Sequence, residues 1–338
     1  MKNRFDKIKF NNKSSNLSNK NKSENIKKII NIRTTKKIKK RINYFSVPVK
    51  LLFLTIFISI YYFCKNYSAK LLKYYYKTRI KYLKKFRKKY NESNLVTLSE
   101  KLNWIAIHDV KKLKGKCADK ILLHEYSRQV LKKDICNKIL KIYDDPYKIN
   151  ISELPDQFVL KTNHGSGYNI IVHNKSELNI EKAKRQLNDW LQIDYSKVGA
   201  EFHYTFIKRK VFAEEYIGKS LNNYKFMCYN GIPRFIYIAK TENGQKYRNF
   251  FDINWNPLDF NCDYPPHPTE VYSKPDNYDL MIKIVRKLAK PFKLVRVDLY
   301  EHNNEVRLGE LTFTPFDSII SCKNPQHEIE LAKDLKLF

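Results

Sequence analysis

Cysteine is sparse and unpatterned in this chain. The six residues Cys64, Cys117, Cys136, Cys228, Cys262 and Cys322 form no CxxC pair and no zinc spacing, so the sequence indicates neither a structural metal nor a disulfide framework. No two of the eight histidines stand in an HxxxH arrangement, and no Ser-His-Asp or Cys-His order marks a nucleophilic triad. There is no GxxxxGK[ST] stretch, and the closest pair of glycines is not followed directly by a helix, which disfavours P-loop and Rossmann readings. Acid is what the N-terminal region lacks. Residues 1–95 hold 27 Lys+Arg against 3 Asp+Glu, whereas the rest of the chain holds 38 against 31. The net charge of +31 therefore belongs to the N-terminal region and not to the body. Aromatic residues are also nearly missing there, with Phe5 and Phe10 the only two before Tyr44. A basic tail without rings to stack on bases is a poor nucleic-acid ligand, so no nucleic-acid partner is expected. Residues 1–43, rich in Asn, Lys and Ser, read as a disordered tail.

Long apolar runs are equally rare, and one stands out. Leu51 to Cys64 reads LLFLTIFISIYYFC, and counting from Tyr44 with Lys50 snorkelling it reaches the roughly 20 residues of a membrane span. The sequence thus predicts an N-terminal anchor at 44–64 and a single-pass membrane location. Lys and Arg flank the run heavily on both sides, so charge does not orient it. Residues 65–95 then mix Leu, Tyr and Phe with Lys and Arg, as an interfacial helix or a charged linker would.

The body follows, with a helical part at 96–155 and the remainder at 156–338. From Phe158 the chain reads FVLKTNHGSGYNIIV, a strand, loop and strand in which two of only eight glycines fall within three residues. Gly165-Ser166-Gly167 lets backbone N–H groups approach an anion, and Lys161 can reach the same group. The spacing of Ile180, Ala183, Leu187, Trp190 and Leu191 predicts a helix with one buried face. Val211 to Ile217 (VFAEEYI) is a strand ending in acids. Tyr224 to Tyr229, the turn Asn230-Gly231 and Arg234 to Ala239 make a hairpin. Lys225 lies within an apolar strand and needs a partner, either a phosphate or a carboxylate. Arg248 in KYRNFFDINW is a phosphate or substrate candidate, and Asp276 is placed to cap a helix over Tyr278 to Lys290.

Val295 to Phe313 (VRVDLYEHNNEVRLGELTF) predicts two strands and a polar turn, with Asp298 opposite Glu310. Facing carboxylates repel, so something cationic should sit between them, and Mg²⁺ with its preference for oxygen ligands would suit.

Taken in order, FVLKTNHGSGYNIIV, AEEYI, NYKFMCYNG, RNFFDINW and VRVDLY followed by GELTFTP resemble the TupA-like branch of the ATP-grasp superfamily, associated with cell-surface polysaccharide synthesis. The resemblance runs from about Lys101 to the C-terminus. It implies an α+β ATP-grasp fold, two subdomains gripping ATP, and a Mg²⁺- and ATP-dependent ligase that joins a carboxylate to an amine through an acyl phosphate. The implied partners are a glycan or small-molecule carboxylate and an amine nucleophile, with the body facing the cytosol where ATP is found. By resemblance, Lys161, His164, Gly165, Ser166, Gly167 and Lys225 hold phosphates, while Glu214, Glu215, Tyr216 and Ile217 form the hinge that meets adenine and ribose. Asp298, Glu310 and Thr312 would hold the metal, and Lys225, Arg248 and Arg296 would serve catalysis. Two positions depart from the family pattern: Phe316-Asp317-Ser318 where glycine usually follows, and His124 where arginine is common. A glycosyltransferase or sugar kinase, or an inactive ATP-grasp binding module, are the alternative functions.

Overall fold

A computed structural model of the chain describes residues 73–199, 201–218 and 222–338. The described residues belong to one compact unit spanning Lys70–Phe338. Residues 73–86 form helix α1, whose Tyr74, Thr78 and Tyr82 recur at the four-residue spacing of one helix face and are buried. Tyr82 donates from its hydroxyl to Glu100 at 3.0 Å, and Lys81 donates to the Asp317 carbonyl at 2.7 Å. Helices α2 (Leu98–His108), α3 (Lys112–Ala118) and α4 (Leu122–Leu131) follow. A capping box explains where α2 starts: Thr97 accepts from the Glu100 N–H, and the Glu100 carboxylate accepts from the Thr97 N–H.

Two antiparallel sheets carry the rest. Strands β1 (Ile139–Tyr143), β2 (Phe158–Thr162), β3 (Asn169–Val172) and β4 (Val211–Glu215) make a four-stranded sheet in the order β1-β4-β2-β3. Helix α5 (Ile180–Gln192) packs Ala183 and Leu187 against it, with Phe158 and Leu160 in the same core. Strands β5 (Tyr224–Tyr229), β6 (Ile232–Glu242), β7 (Gln245–Asp252), β8 (Pro257–Leu258), β9 (Leu294–His302) and β10 (Glu305–Thr312) form the larger sheet, in the order β10-β9-β5-β6-β7-β8. Its two faces bury different residues of the same strands. Phe226 and Cys228 pack with Met281, Val285 and Leu288 of α6 (Tyr278–Ala289) on one face. Met227 and Tyr229 pack on the other with Leu98 and Leu102 of α2 and Leu331 of α7 (Pro325–Ala332).

Three sequence expectations need correction. The expected single-pass membrane location is not borne out: among the described residues no helix is long and apolar enough to cross a membrane. Helix α1, for example, sets Lys73, Lys77, Lys81, Lys84 and Lys85 among its aromatic residues. The tail 1–43 and the run 44–64 assigned to the span lie outside the described residues. Asp276 does not cap α6; the cap position is Asn277, which makes no side-chain cap bond and instead donates its N–H to Glu301 at 2.9 Å. Finally, Cys262 and Cys322 form a disulfide. Sixty positions separate them, and it is sheet packing that brings them together, so no local spacing could announce the bond.

Candidate nucleotide and acceptor site

The hairpin β9–β10 organises the site. Asn303 and Asn304 both take positive φ, 51° and 59°, which gives the two-residue turn that joins His302 to Glu305. The pairing then slips by one residue at Gly309, and this bulge sets Glu310 opposite Asp298. The cation expected between them is supplied by the chain. Arg296 places Nε 2.6 Å from Asp298 Oδ1 and Nη2 2.8 Å from Oδ2, and also donates to Glu310. Lys225, opposite Asp298 on β5, brings its ammonium 2.5 Å from Oδ2. Asp298 is wholly buried, whereas the Glu310 side chain is 36 % exposed. Burial pushes the Glu310 carboxyl up, but Arg296, Lys225 and Lys120 outweigh it and hold the group at about 2.

A cleft of about 420 Å³ lies between the two sheets. Lys161 enters it from β2 and pairs with Glu214 of β4 at 2.6 Å. The loop after β2 is fixed in advance, because Asn163 donates to Asp119 at 2.8 Å and accepts from the Lys210 N–H at 2.8 Å. Its two glycines differ in purpose. A Cβ at Gly165 would strike the Tyr168 and Tyr195 rings at 2.7 and 2.8 Å, so close packing requires glycine there. At Gly167 a Cβ would meet nothing within 4 Å, and the positive φ of 77° is what favours glycine. Ser166, Gly167, Glu215, Tyr216 and Ile217 also line the cleft. His164 does not: its ring is buried, faces the Ile193 carbonyl at 3.2 Å and is pushed down to about 4 by that burial.

Sequence reasoning passed over Lys120. It lines this cleft and donates to the Gly165 carbonyl at 2.6 Å, and burial lowers its pKa against the pull of Glu310. Its neighbour Asp119, which accepts from Ile121 N–H at the start of α4, was the signal available. His124 lines the cleft as well and hydrogen-bonds Asp134 at 2.9 Å. With Cys136 these two place possible ligand atoms within 4.8 Å of one another, but Arg128 already neutralises Asp134 at 2.6 Å.

A second cavity of about 820 Å³ opens on the far side of Glu310. Arg296 and Arg248 both line it. Arg248 is 8 % exposed, pairs with Asp263 at 2.8 Å, and lies over the Phe316 ring at 4.8 Å, while its Nε has no partner among the described residues. Glu201, Tyr204, Thr314 and, from α1, Lys85 complete the part of the wall that matters below. Glu310, together with Ser166, is common to cleft and cavity.

The TupA-like ATP-grasp family model matches residues 100–335. The chain belongs to the TupA-like ATP-grasp family. The ATP-grasp fold accounts for the two sheets with a cleft between them, and the cofactor pair to set against the site is the ATP and Mg²⁺ that the sequence resemblance implies. No curated protein sequence matches the chain. Among solved structures it is similar to D-alanine–D-alanine ligase from Bacillus anthracis complexed with ATP, at 16 % identity and a TM-score of 0.35 over 59 % of this chain and 54 % of that one. It is likewise similar to D-alanine–D-alanine ligase from Helicobacter pylori, at 14 % identity and 0.37 over 66 % and 59 %. A third is N5-carboxyaminoimidazole synthase from Aspergillus clavatus, at 12 % identity and 0.37 over 62 % and 46 %. The chain thus spans about half the length of these structures.

The residues of this ATP-grasp site suit the cofactor pair. Lys120 and Lys161 converge on a glycine loop with open space before it, as phosphates require. Glu310 offers a hard oxygen donor in the cleft, Thr312 adds a hydroxyl beside it on the cavity side, and Asp298 offers more in exchange for an ion pair. The departure at Phe316-Asp317-Ser318 has a structural sequel. All three residues adopt positive φ, 57°, 51° and 63°, so the backbone keeps a conformation that suits glycine. Phe316 stacks near Tyr237 at 5.4 Å and Asn103 donates to the Ser318 carbonyl at 2.7 Å, contacts that offset the strain.

Proposed function

We propose that this protein is a Mg·ATP-dependent carboxylate–amine ligase that works through an acyl phosphate, with an acidic cell-surface glycan or its precursor as the carboxylate. The observation that carries the reading is that Glu310 lines both the lysine-bearing cleft and the second, larger cavity, with Arg296 donating to it from the cavity wall. A transferred phosphoryl group has to pass from nucleotide to acceptor at one point, and these two side chains mark it. In this reading Lys120, Lys161 and the Ser166-Gly167 amides hold the phosphates, and Glu214 to Ile217 face adenine and ribose. Asp298, Glu310 and Thr312 would hold Mg²⁺, which supplies charge neutralisation at the phosphate oxygens. Arg296 faces the second cavity, where it neutralises the developing charge on the activated carboxylate, with Lys225 behind Asp298. Arg248, with its unpartnered Nε, orients the substrate acid.

A screen for ADP release tests the reading, run with uronic acids as the carboxylate and amino acids as the amine. ADP formed only when both are present supports a ligase. Turnover of a sugar nucleotide would point to a glycosyltransferase, phosphorylation of the sugar to a kinase, and ATP binding without any turnover to an inactive binding module.

A further inference from the structure

Joining an amine to an acyl phosphate needs a base, since the amine arrives as an ammonium ion. We propose that Glu201 is that base, a role that rests on the ligase reading above. Four carboxylates line the second cavity: Glu201, Asp263, Glu310 and Asp317. Three are committed elsewhere. Asp263 pairs with Arg248 at 2.8 Å and accepts from the Ser321 N–H at 3.0 Å. Glu310 is bound by Arg296 and is a metal donor in the ligase reading. Asp317 has a side chain 73 % exposed and lies 3.7 Å from the Lys81 ammonium. Glu201 alone of the four is buried, at 6 % exposure, and forms no ion pair among the described residues; the hydroxyl of Thr314 donates to it.

Its place beside the end of β10 fits the task. Leu311 and Phe313 point into the core, so Glu310, Thr312 and Thr314 share the opposite face and line the cavity in sequence. The face runs from the metal-side carboxylate at Glu310 to Thr314, which holds Glu201. The charged and titratable groups around Glu201 come from every neighbouring element. Asp317 and Glu310 oppose its ionisation, Lys81 of α1 favours it, and Tyr195 and Tyr204 face it with hydroxyls that burial first, and its charge second, keep protonated. Burial is the main reason, with Asp317 and Glu310 adding to it, that the carboxyl is pushed up to about 7, where a general base works best at neutral pH.

The step balances. Glu201 takes one proton from the ammonium, and the freed nitrogen pair attacks the acyl carbon to form the C–N bond. The C–O bond to phosphate breaks, its electron pair leaves on the phosphate oxygen, and the second nitrogen proton ends on that phosphate. Glu201 returns its own proton to solvent.

The experiment uses the full chain with Mg·ATP and D-glucuronate. The acceptor is either hydroxylamine, which is already unprotonated at neutral pH, or the amino acid that gives most amide among the twenty tested. The readout is the ratio of amide to hydroxamate. Glu201→Gln is expected to lower that ratio by about 10²–10⁴-fold, and Glu201→Asp to restore part of it. The wild-type amide rate should rise with pH to a midpoint near neutrality. Thr314→Val, which removes the hydroxyl that favours the carboxylate, should move that midpoint upward. An unchanged ratio in Glu201→Gln, or a midpoint that Thr314→Val does not move, overturns the base assignment while leaving the ligase reading standing. Hydroxamate without amide from any amino acid removes the proposed step. Absence of hydroxamate in the wild type overturns the ligase reading, and the base with it.

Discussion

The cleft between the sheets and the second cavity share Glu310, yet their remaining walls come from different parts of the fold. The cleft takes Lys161, Ser166, Gly167 and Glu214 from adjoining strands and the loop between two of them. The cavity has strand residues too, Arg248 of β7, Arg296 of β9 and Glu310 of β10, but adds Lys85 from α1, Glu201 from the segment before β4, Asp263 from beyond β8 and Phe316 from beyond β10. A wall made by paired strands leaves little room for variation, because one changed residue disturbs the ladder. A wall assembled from loops can change its chemistry while the grip on nucleotide stays the same. On the proposed ligase reading, the cleft serves the step common to the family and the cavity the choice of substrate.

The largest expected effect separates the two carboxylates where the regions meet. Asp298→Asn takes the negative charge of a wholly buried carboxylate from the part-buried Arg296 and Lys225, and the loss should be about 3–5 kcal/mol in chemical denaturation. Glu310→Gln, partly exposed, should cost under about 1 kcal/mol. Facing acids alone suggest that neutralising either one relieves repulsion, but Arg296 between them reverses that sign. Equal losses in both variants would mean that Glu310 belongs to the packed interior and not to the working surface.

Next, Lys161→Met should weaken ATP binding by about 1.5–3 kcal/mol through the loss of a charge-assisted contact. Arg248→Met should leave ATP affinity alone and reduce turnover. Calorimetric titration with Mg·ATP checks both, and a matching loss of affinity in Arg248→Met would join the two regions into one nucleotide site.

The smallest effect is in pH dependence. Glu310 is held near 2 against an ordinary 4.5, so the stability it contributes is present above 4.5 and lost as pH falls towards 2. Glu201 is raised to about 7, so its contribution is present below 4.5 and lost as pH rises through 7. Melting curves across pH 5–8, a range set by these two values, should therefore show Glu201→Gln gaining on the wild type as pH rises. Glu310→Gln should hold a constant offset there. Parallel curves for all three proteins would remove the contrast between the acids.

What could be read from the sequence follows the same division. Alternating Val295, Val297 and Leu299 set the register of β9, and the paired positions of Asp298 and Glu310 followed from it, while the bulge that completes the pairing is marked in the sequence by a glycine, Gly309, inside a strand. Lys225 within YKFMCY had to find a partner, and it did so in Asp298. Arg296 was legible as a site residue but not as the cation between two acids, because that depends on side-chain direction across three strands. Glu201 was not legible: it stands just before a short 3₁₀ helix, Phe202–Phe206, and its importance comes from Thr314, 113 positions away. The Cys262–Cys322 bond was hidden for the same reason, since long-range packing leaves no local period.

The central claim is that Glu310 is where nucleotide, metal and second cavity meet. The direct measurement is ATP affinity with and without Mg²⁺ in the wild type and in Glu310→Gln. Mg²⁺ should strengthen ATP binding in the wild type, and Glu310→Gln should lose most of that gain while binding metal-free ATP at least as well. The same Mg²⁺ effect in both proteins would contradict the account.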